Sequence, residues 1–126
     1  MYHAISAELK TSDKVVLIGS DCLEMDSAYI ESAFAKLQTE RDVVFGPAND
    51  GGYVLVGMSA SNSGLFNNVR WGFSNVLAST LKNARSLGVT THLLDTLVDV
   101  DHVRDLQVIA SRNRLPEWAL SLLPKY

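Results

Sequence analysis

Short apolar runs alternate along the chain with stretches whose apolar positions recur at helical spacing. Val15-Val16-Leu17-Ile18 is a continuous apolar run between Lys14 and Gly19. Its length and β-branching predict a strand, Lys14 to Gly19, buried on both faces by covering helices. Asp26 to Gln38 predicts a helix, because Ile30, Ala33, Phe34 and Leu37 fall at i, i+3, i+4 and i+7. Asp26 or Ser27 can cap its start. Asp42 to Gly46 and Tyr53 to Met58 predict two further strands, joined by the loop Pro47 to Gly52. Ser59 to Gly72 is polar and reads as loop, with a short helical turn around Leu65-Phe66.

Downstream, Ser74 is expected to cap a helix whose buried stripe is Leu77, Thr80, Leu81, Ala84 and Leu87. Gly88 is placed to end it in the left-handed conformation. Val89 to Leu94 predicts a strand, and His102 to about Asn113 a helix with Val103, Leu106, Ile109 and Ala110 inward. Pro116 suits the first position of a last helix, Glu117 to Leu123. Residues 1–10 predict a short helix with Ile5 and Leu9 inward. Such an order points to α/β architecture, a mixed and mainly parallel sheet flanked by helices. No repeat or linker divides the chain, so residues 1–126 are expected to form one domain.

Composition narrows the function classes. The chain has 126 residues, 47% apolar and 20% charged, an ordinary globule able to bury roughly two-thirds of its unfolded surface. No apolar run approaches the roughly 20 residues needed to span a bilayer, and Met1 to Lys10 carries no secretory-signal pattern. Net charge is −3 and the basic residues are scattered, which argues against a nucleic-acid partner. The lone Cys22 cannot form an intramolecular disulfide and suits a reducing, cytoplasmic setting. His3, His92 and His102 lack the spacing of a zinc site.

Three clusters follow predicted strands, where open α/β sheets bind their ligands. In Gly19-Ser20-Asp21-Cys22, Asp21 suits either a divalent cation or the organisation of its own turn. Cys22 has no base predicted beside it and fits a small buried residue better than a nucleophile. In Gly46-Pro47-Ala48-Asn49-Asp50-Gly51-Gly52-Tyr53, adjacent glycines permit close approach of a phosphate or sugar. Asp-Gly is equally a hairpin-turn pair, and both readings stay open. In Asp99-Val100-Asp101, alternate carboxylates on an extended segment can reach one cation, while Asp101 is also a helix cap. Arg70 beside Trp71 can meet an anion or stay solvated. Neither a Walker loop nor a GxGxxG fingerprint is present.

Taken in order, Val15 to Cys22, Asp42 to Ala48, Asp50 to Tyr53, Leu65-Phe66, Arg70 to Gly72, Asp99 to Asp101 and Asp105-Leu106 resemble a known series. The series is that of GT-A-like nucleotide-diphospho-sugar transferases, specifically the bacterial selenodomain-associated glycosyltransferase-like family. That family is related to the 2-phospholactate and molybdenum-cofactor guanylyltransferases. The resemblance covers roughly residues 1–112, and motifs in matching order are more specific than any one of them.

The resemblance implies a truncated GT-A fold and roles for residues that match it. Asp21 resembles the acid that binds metal and diphosphate, and Asp99 or Asp101 the second acidic arm. Asp50 to Tyr53 resembles the loop on the acceptor or sugar side. Catalytic roles thereby fall to Asp21 and Asp50, and substrate contacts to Asn49, Gly51, Gly52, Tyr53, Arg70 and Trp71. Asp21, Asp99 and Asp101 would hold Mg²⁺ or Mn²⁺, which neutralises charge on the diphosphate leaving group.

Two departures are evident. Leu23 stands where the family commonly has proline, and the strand and basic nucleotide-binding loop that open family members do not precede Tyr2. The expected function is therefore divalent-metal-dependent glycosyl or nucleotidyl transfer from a nucleotide-activated donor, by a domain incomplete on its own. The alternatives are a non-catalytic binding or self-association module, or a composite site completed by a partner chain. The Val15–Ile18 strand is expected to keep one edge open. Self-association there, or cover by residues 1–12, is the expected consequence.

Overall fold

The computed structural model describes residues 2–19, 22–70 and 74–98. The helices expected at His102 to Asn113 and Glu117 to Leu123 lie outside the described residues. Helix α1 (Tyr2–Leu9) leads to strand β1 (Val15–Ile18), helix α2 (Ser27–Lys36) and strands β2 (Asp42–Pro47) and β3 (Tyr53–Met58). A short 3-10 helix (Ser63–Phe66), helix α3 (Val76–Leu87) and strand β4 (Thr90–Leu93) follow.

The four strands form one sheet in the order β1-β3-β2-β4. β3 pairs antiparallel with both β1 and β2, whereas β4 pairs parallel with β2. Strands β1, β2 and β4 therefore run in one direction, and β3 alone is reversed. The mixed, helix-flanked α/β sheet matches the sequence expectation. The reversal follows from the loop after Pro47, which turns β2 back on itself as a hairpin instead of crossing over.

Alternation sorts the side chains onto two faces. Val43, Phe45, Val56 and Met58 point to one face, where Ile5 of α1, Leu65 and Ala84 of α3 join them in a core. Leu9 packs against this core, as expected, and Ile5 is fully buried. Val44 and Leu55 point to the other face and meet Ala33 of α2 and Leu37, the residue that caps its carboxyl end. Removing the Leu37 side chain from water contributes on the order of 2 kcal/mol. β1 forms an outer edge of the described sheet. Because α1 packs on a face of the sheet, it does not supply the edge cover considered for residues 1–12.

Four details differ from the predicted pattern. Strand β1 is half-buried at Val15 to Leu17 and exposed at Ile18, not buried on both faces, because it is an outer strand of the described sheet. Within α2, Phe34 is 38% exposed, and Tyr29 packs inward with Ala33 and Leu37 instead. Asn75, not Ser74, occupies the N-cap of α3. In α3 the buried positions are Val76, Thr80 and Ala84, with Leu77 and Leu81 packed at the margin and Leu87 exposed. The helix then ends at Gly88, which is left-handed at φ 71°.

Candidate functional site

The common direction of β1, β2 and β4 sends their carboxyl ends to one rim of the sheet. Following β2, Ala48 forms a parallel bridge with Leu97 of the segment after β4. Leu97 N–H donates to Pro47 O at 2.9 Å, and Asn49 N–H donates to Leu97 O at 3.0 Å. The segment after β1 joins them: Cys22 packs against the buried cluster of Ala48, Val54 and Leu97. Buried Glu24 accepts the Val98 N–H through Oε1 at 2.8 Å. At the end of β1, Gly19 N–H donates to Val54 O. Three chain segments distant in sequence thus meet at one place. Cys22 is half-buried there, more open than the buried position expected of it.

A register shift at Gly46/Pro47 marks a bulge in the β2–β3 hairpin: Gly46 lies opposite Leu55, but Pro47 lies opposite Tyr53. The extra residue, Val54, turns to the rim cluster, and Tyr53 is sent to the α1/α3 face. Bulges commonly re-aim side chains in this manner. The Tyr53 ring lies 5.2 Å from that of Phe45. Burial pushes its phenol up to about 12, against a hydrogen bond with Thr80 that acts the other way.

The Asn49–Gly52 loop is built largely from its own hydrogen bonds. Gly51 N–H donates to Ala48 O, and Ala48 N–H to Gly52 O. Asp50 accepts the Gly52 N–H through Oδ1 at 3.0 Å, an Asx-type turn. Both glycine amides are thereby engaged within the loop, while Asn49 and Asp50 are exposed. Gly51 has φ 93°, and a Cβ there would collide with the carbonyl of Ser74. Its own carbonyl accepts Leu77 N–H at 2.9 Å, satisfying one open donor of the α3 amino terminus. The loop is at once a hairpin connection and a rim element.

Tyr29 braces the same region from α2. Its hydroxyl donates to Asp95 O at 2.8 Å. It passes so close to β2 that a Cβ on Gly46 would lie 2.5 Å from the phenolic oxygen. Burial first, and then Cys22, Asp95 and Glu24, push this phenol well above the usual tyrosine range.

Among the predicted site residues, Asn49, Asp50, Gly51 and Gly52 are brought together at the rim. Tyr53 is directed to the core, and Arg70 is exposed on the segment after the 3-10 helix. Asp21, Trp71, Asp99 and Asp101 lie outside the described residues, although Cys22 and Val98 beside them sit at the rim. No group of three metal-ligating side chains occurs among the described residues. Sequence reasoning missed Glu24, Tyr29 and Asp95. Only the nearness of Glu24 to the first cluster could have singled it out.

No described helix is long and apolar enough to cross a membrane. No curated protein matches the chain. Among solved structures, a protein of Desulfovibrio desulfuricans G20 provisionally described as a nucleotide-diphospho-sugar transferase is similar, with a TM-score of 0.82 and 33% identity. The similarity covers 94% of this chain and 52% of that one, so this chain spans about half the length of its neighbour. Residues 1–73 match the family model DUF2064, described as an uncharacterized protein conserved in bacteria. More than half of the sequence fits that model, and the chain therefore belongs to the DUF2064 family.

Proposed function

We propose that this chain forms the metal and acceptor side of a transferase domain acting on a nucleotide-activated donor, by glycosyl or nucleotidyl transfer. The observation that carries the reading is the meeting of the segments after β1, β2 and β4 at one rim, tied through Ala48–Leu97 and Glu24–Val98. These segments lead into or out of Asp21, Asp50 and Asp99. The likeness to the Desulfovibrio protein supports the same class of donor.

Asp21, Asp99 and Asp101 are the proposed donors to Mg²⁺ or Mn²⁺. An all-oxygen carboxylate set suits a hard divalent cation, which would neutralise a diphosphate. Asp21 and Asp50 take the catalytic roles. Since the glycine amides are engaged inside their loop, the acceptor would be met by the exposed Asn49 and Asp50. Arg70 and Trp71 are assigned to the substrate, and Tyr53 holds the loop's base. The lone Cys22 suits a cytoplasmic setting.

Calorimetry with nucleoside diphosphate sugars and nucleoside triphosphates, with and without Mn²⁺, tests this reading. Saturable, Mn²⁺-dependent binding that Asp21→Ala abolishes is expected. A folded domain that binds none of them would instead be a non-catalytic module.

A second reading concerns association, alone or beside transfer. β1 is an outer strand of the described sheet, Ile18 is 47% exposed, and a hollow of about 140 Å³ lined by Leu17, Ile18 and Tyr53 lies alongside. Open apolar strand edges invite pairing with another chain, here a second copy or a partner that completes the site. Sedimentation should show an assembly that Ile18→Lys weakens; a strictly monomeric wild-type chain would reject it.

A further inference from the structure

Helix α3 holds the chain on both sides of Arg70. On the near side, Asn83 Nδ2 donates to Leu65 O at 2.9 Å and to Asn67 O at 2.7 Å. Both partners are carbonyl oxygens, which only accept, so the nitrogen of the side-chain amide faces them and not its oxygen. Leu65 is fully buried in the core that includes Ala84 of α3. Asparagine suits a helix interior less well than alanine, and here its amide is directed to the neighbouring segment. On the far side, the amino terminus of α3 is tied to the rim loop. Leu77 N–H donates to Gly51 O, and Gly51 lies against the Ser74 carbonyl.

Arg70 stands between these two anchors. It follows Asn68, whose φ of 59° is left-handed, a conformation asparagine tolerates better than most residues. That turn redirects the chain as it leaves Asn83. Arg70 precedes Ser74 by four positions, and four residues reach at most about 14 Å. Its backbone is therefore kept within that reach of the rim loop, and its side chain is exposed.

We propose that Asn83 is a positioning residue: it fixes the turn that presents Arg70, and the Arg70 guanidinium meets the diphosphate of the nucleotide. This rests on the transferase reading, which supplies the diphosphate. A guanidinium forks onto phosphate oxygens in a fixed geometry. Its contribution therefore depends on how firmly the backbone beneath it is held.

A double-mutant cycle on the full chain tests the role, with ADP, CDP, GDP and UDP each titrated calorimetrically in the presence of Mn²⁺. Arg70→Ala should weaken the diphosphate that binds best at least about tenfold. Asn83→Ala should weaken it about threefold or more, through misplacement alone. In the Arg70→Ala background the same change should cost nothing further, because the residue it positions is gone. Without ligand, Asn83→Ala should shift the amide NMR signals of Asn67, Asn68 and Arg70 and leave Leu77 in place. Equal affinity of Asn83→Ala and wild type, losses that add in the double variant, or shifts that stop at Asn67 would overturn the role of Asn83 while nucleotide binding stands. A wild-type chain that binds none of the four removes the transferase reading, and the positioning role with it.

Discussion

Glu24 and Val98 are joined by a charge-assisted hydrogen bond of 2.8 Å between a carboxylate oxygen and a backbone amide. Both residues are buried, and 74 positions separate them in sequence. The bond fastens the segment after β1 to the segment after β4 where both lead toward the candidate acidic residues. Glu24→Ala would leave the Val98 amide buried without its acceptor, at a cost of about 1–3 kcal/mol. Urea denaturation should show that loss, and Glu24→Gln, which keeps an acceptor oxygen, should recover part of it. Equal stability of all three proteins would deny the bond its role.

Gly51 offers a backbone test of the rim loop. Its φ of 93° and the Ser74 carbonyl both exclude a Cβ. Gly51→Ala must therefore move the loop away from the α3 amino terminus and stretch the Leu77 N–H bond to Gly51 O. A loss exceeding about 1 kcal/mol is expected, with amide NMR shifts spreading into Val76 and Leu77. Shifts limited to the loop itself would show that the two elements are not coupled.

Much of the fold was legible because local patterns agreed with tertiary demands. Val15 to Ile18, Tyr53 to Met58 and the Gly88 stop needed only periodicity and turn chemistry. The facing of α2 was not legible. Phe34 is the more apolar candidate for burial, yet Tyr29 takes the inward place because Gly46 opens room for its hydroxyl, a contact between elements far apart in sequence. The dual nature of Asp50-Gly51-Gly52 was likewise open, since turn-formers and ligand loops share a composition. Its hydrogen bonds to Ala48, Asp50 and Leu77 show how the loop is built. The role of Glu24 depends on a partner 74 residues away, and its nearness to the first cluster is the one local hint of it.

Tyr29→Phe should isolate the brace from the packing. The ring stays while the bond to Asp95 O is lost, so the expected cost is about 1 kcal/mol. Hydrogen exchange should quicken at Leu94 and Leu97, whose amides donate to Phe45 O and Pro47 O. Unchanged exchange there would place the stabilisation elsewhere.

Asp42 predicts a specific acid dependence. His92 Nε2 lies 3.0 Å from its Oδ1, and the Gln38 and Thr39 amides donate to Oδ2. The His92 hydrogen bond first, and then the Thr39 amide, lower its pKa from 3.8 to about 2, with burial opposing them and the Gln38 amide helping. A folded-state pKa below the unfolded value contributes stability that is present above the unfolded pKa. That contribution is lost as pH falls toward the folded one. Wild-type stability should therefore drop between about pH 4 and pH 2 more steeply than that of Asp42→Asn. Parallel urea midpoints for the two proteins across this window would refute the assignment.

Paramagnetic broadening by Mn²⁺, in the presence of a nucleoside diphosphate, tests most directly whether one rim gathers the metal-binding segments. The amides of Gly19, Cys22, Asn49 to Gly52 and Val98 should broaden together, while Asp42 and Thr90, at the far end of the sheet, stay sharp. Broadening centred on Asp42 and Thr90, or none at saturating Mn²⁺, would contradict the account.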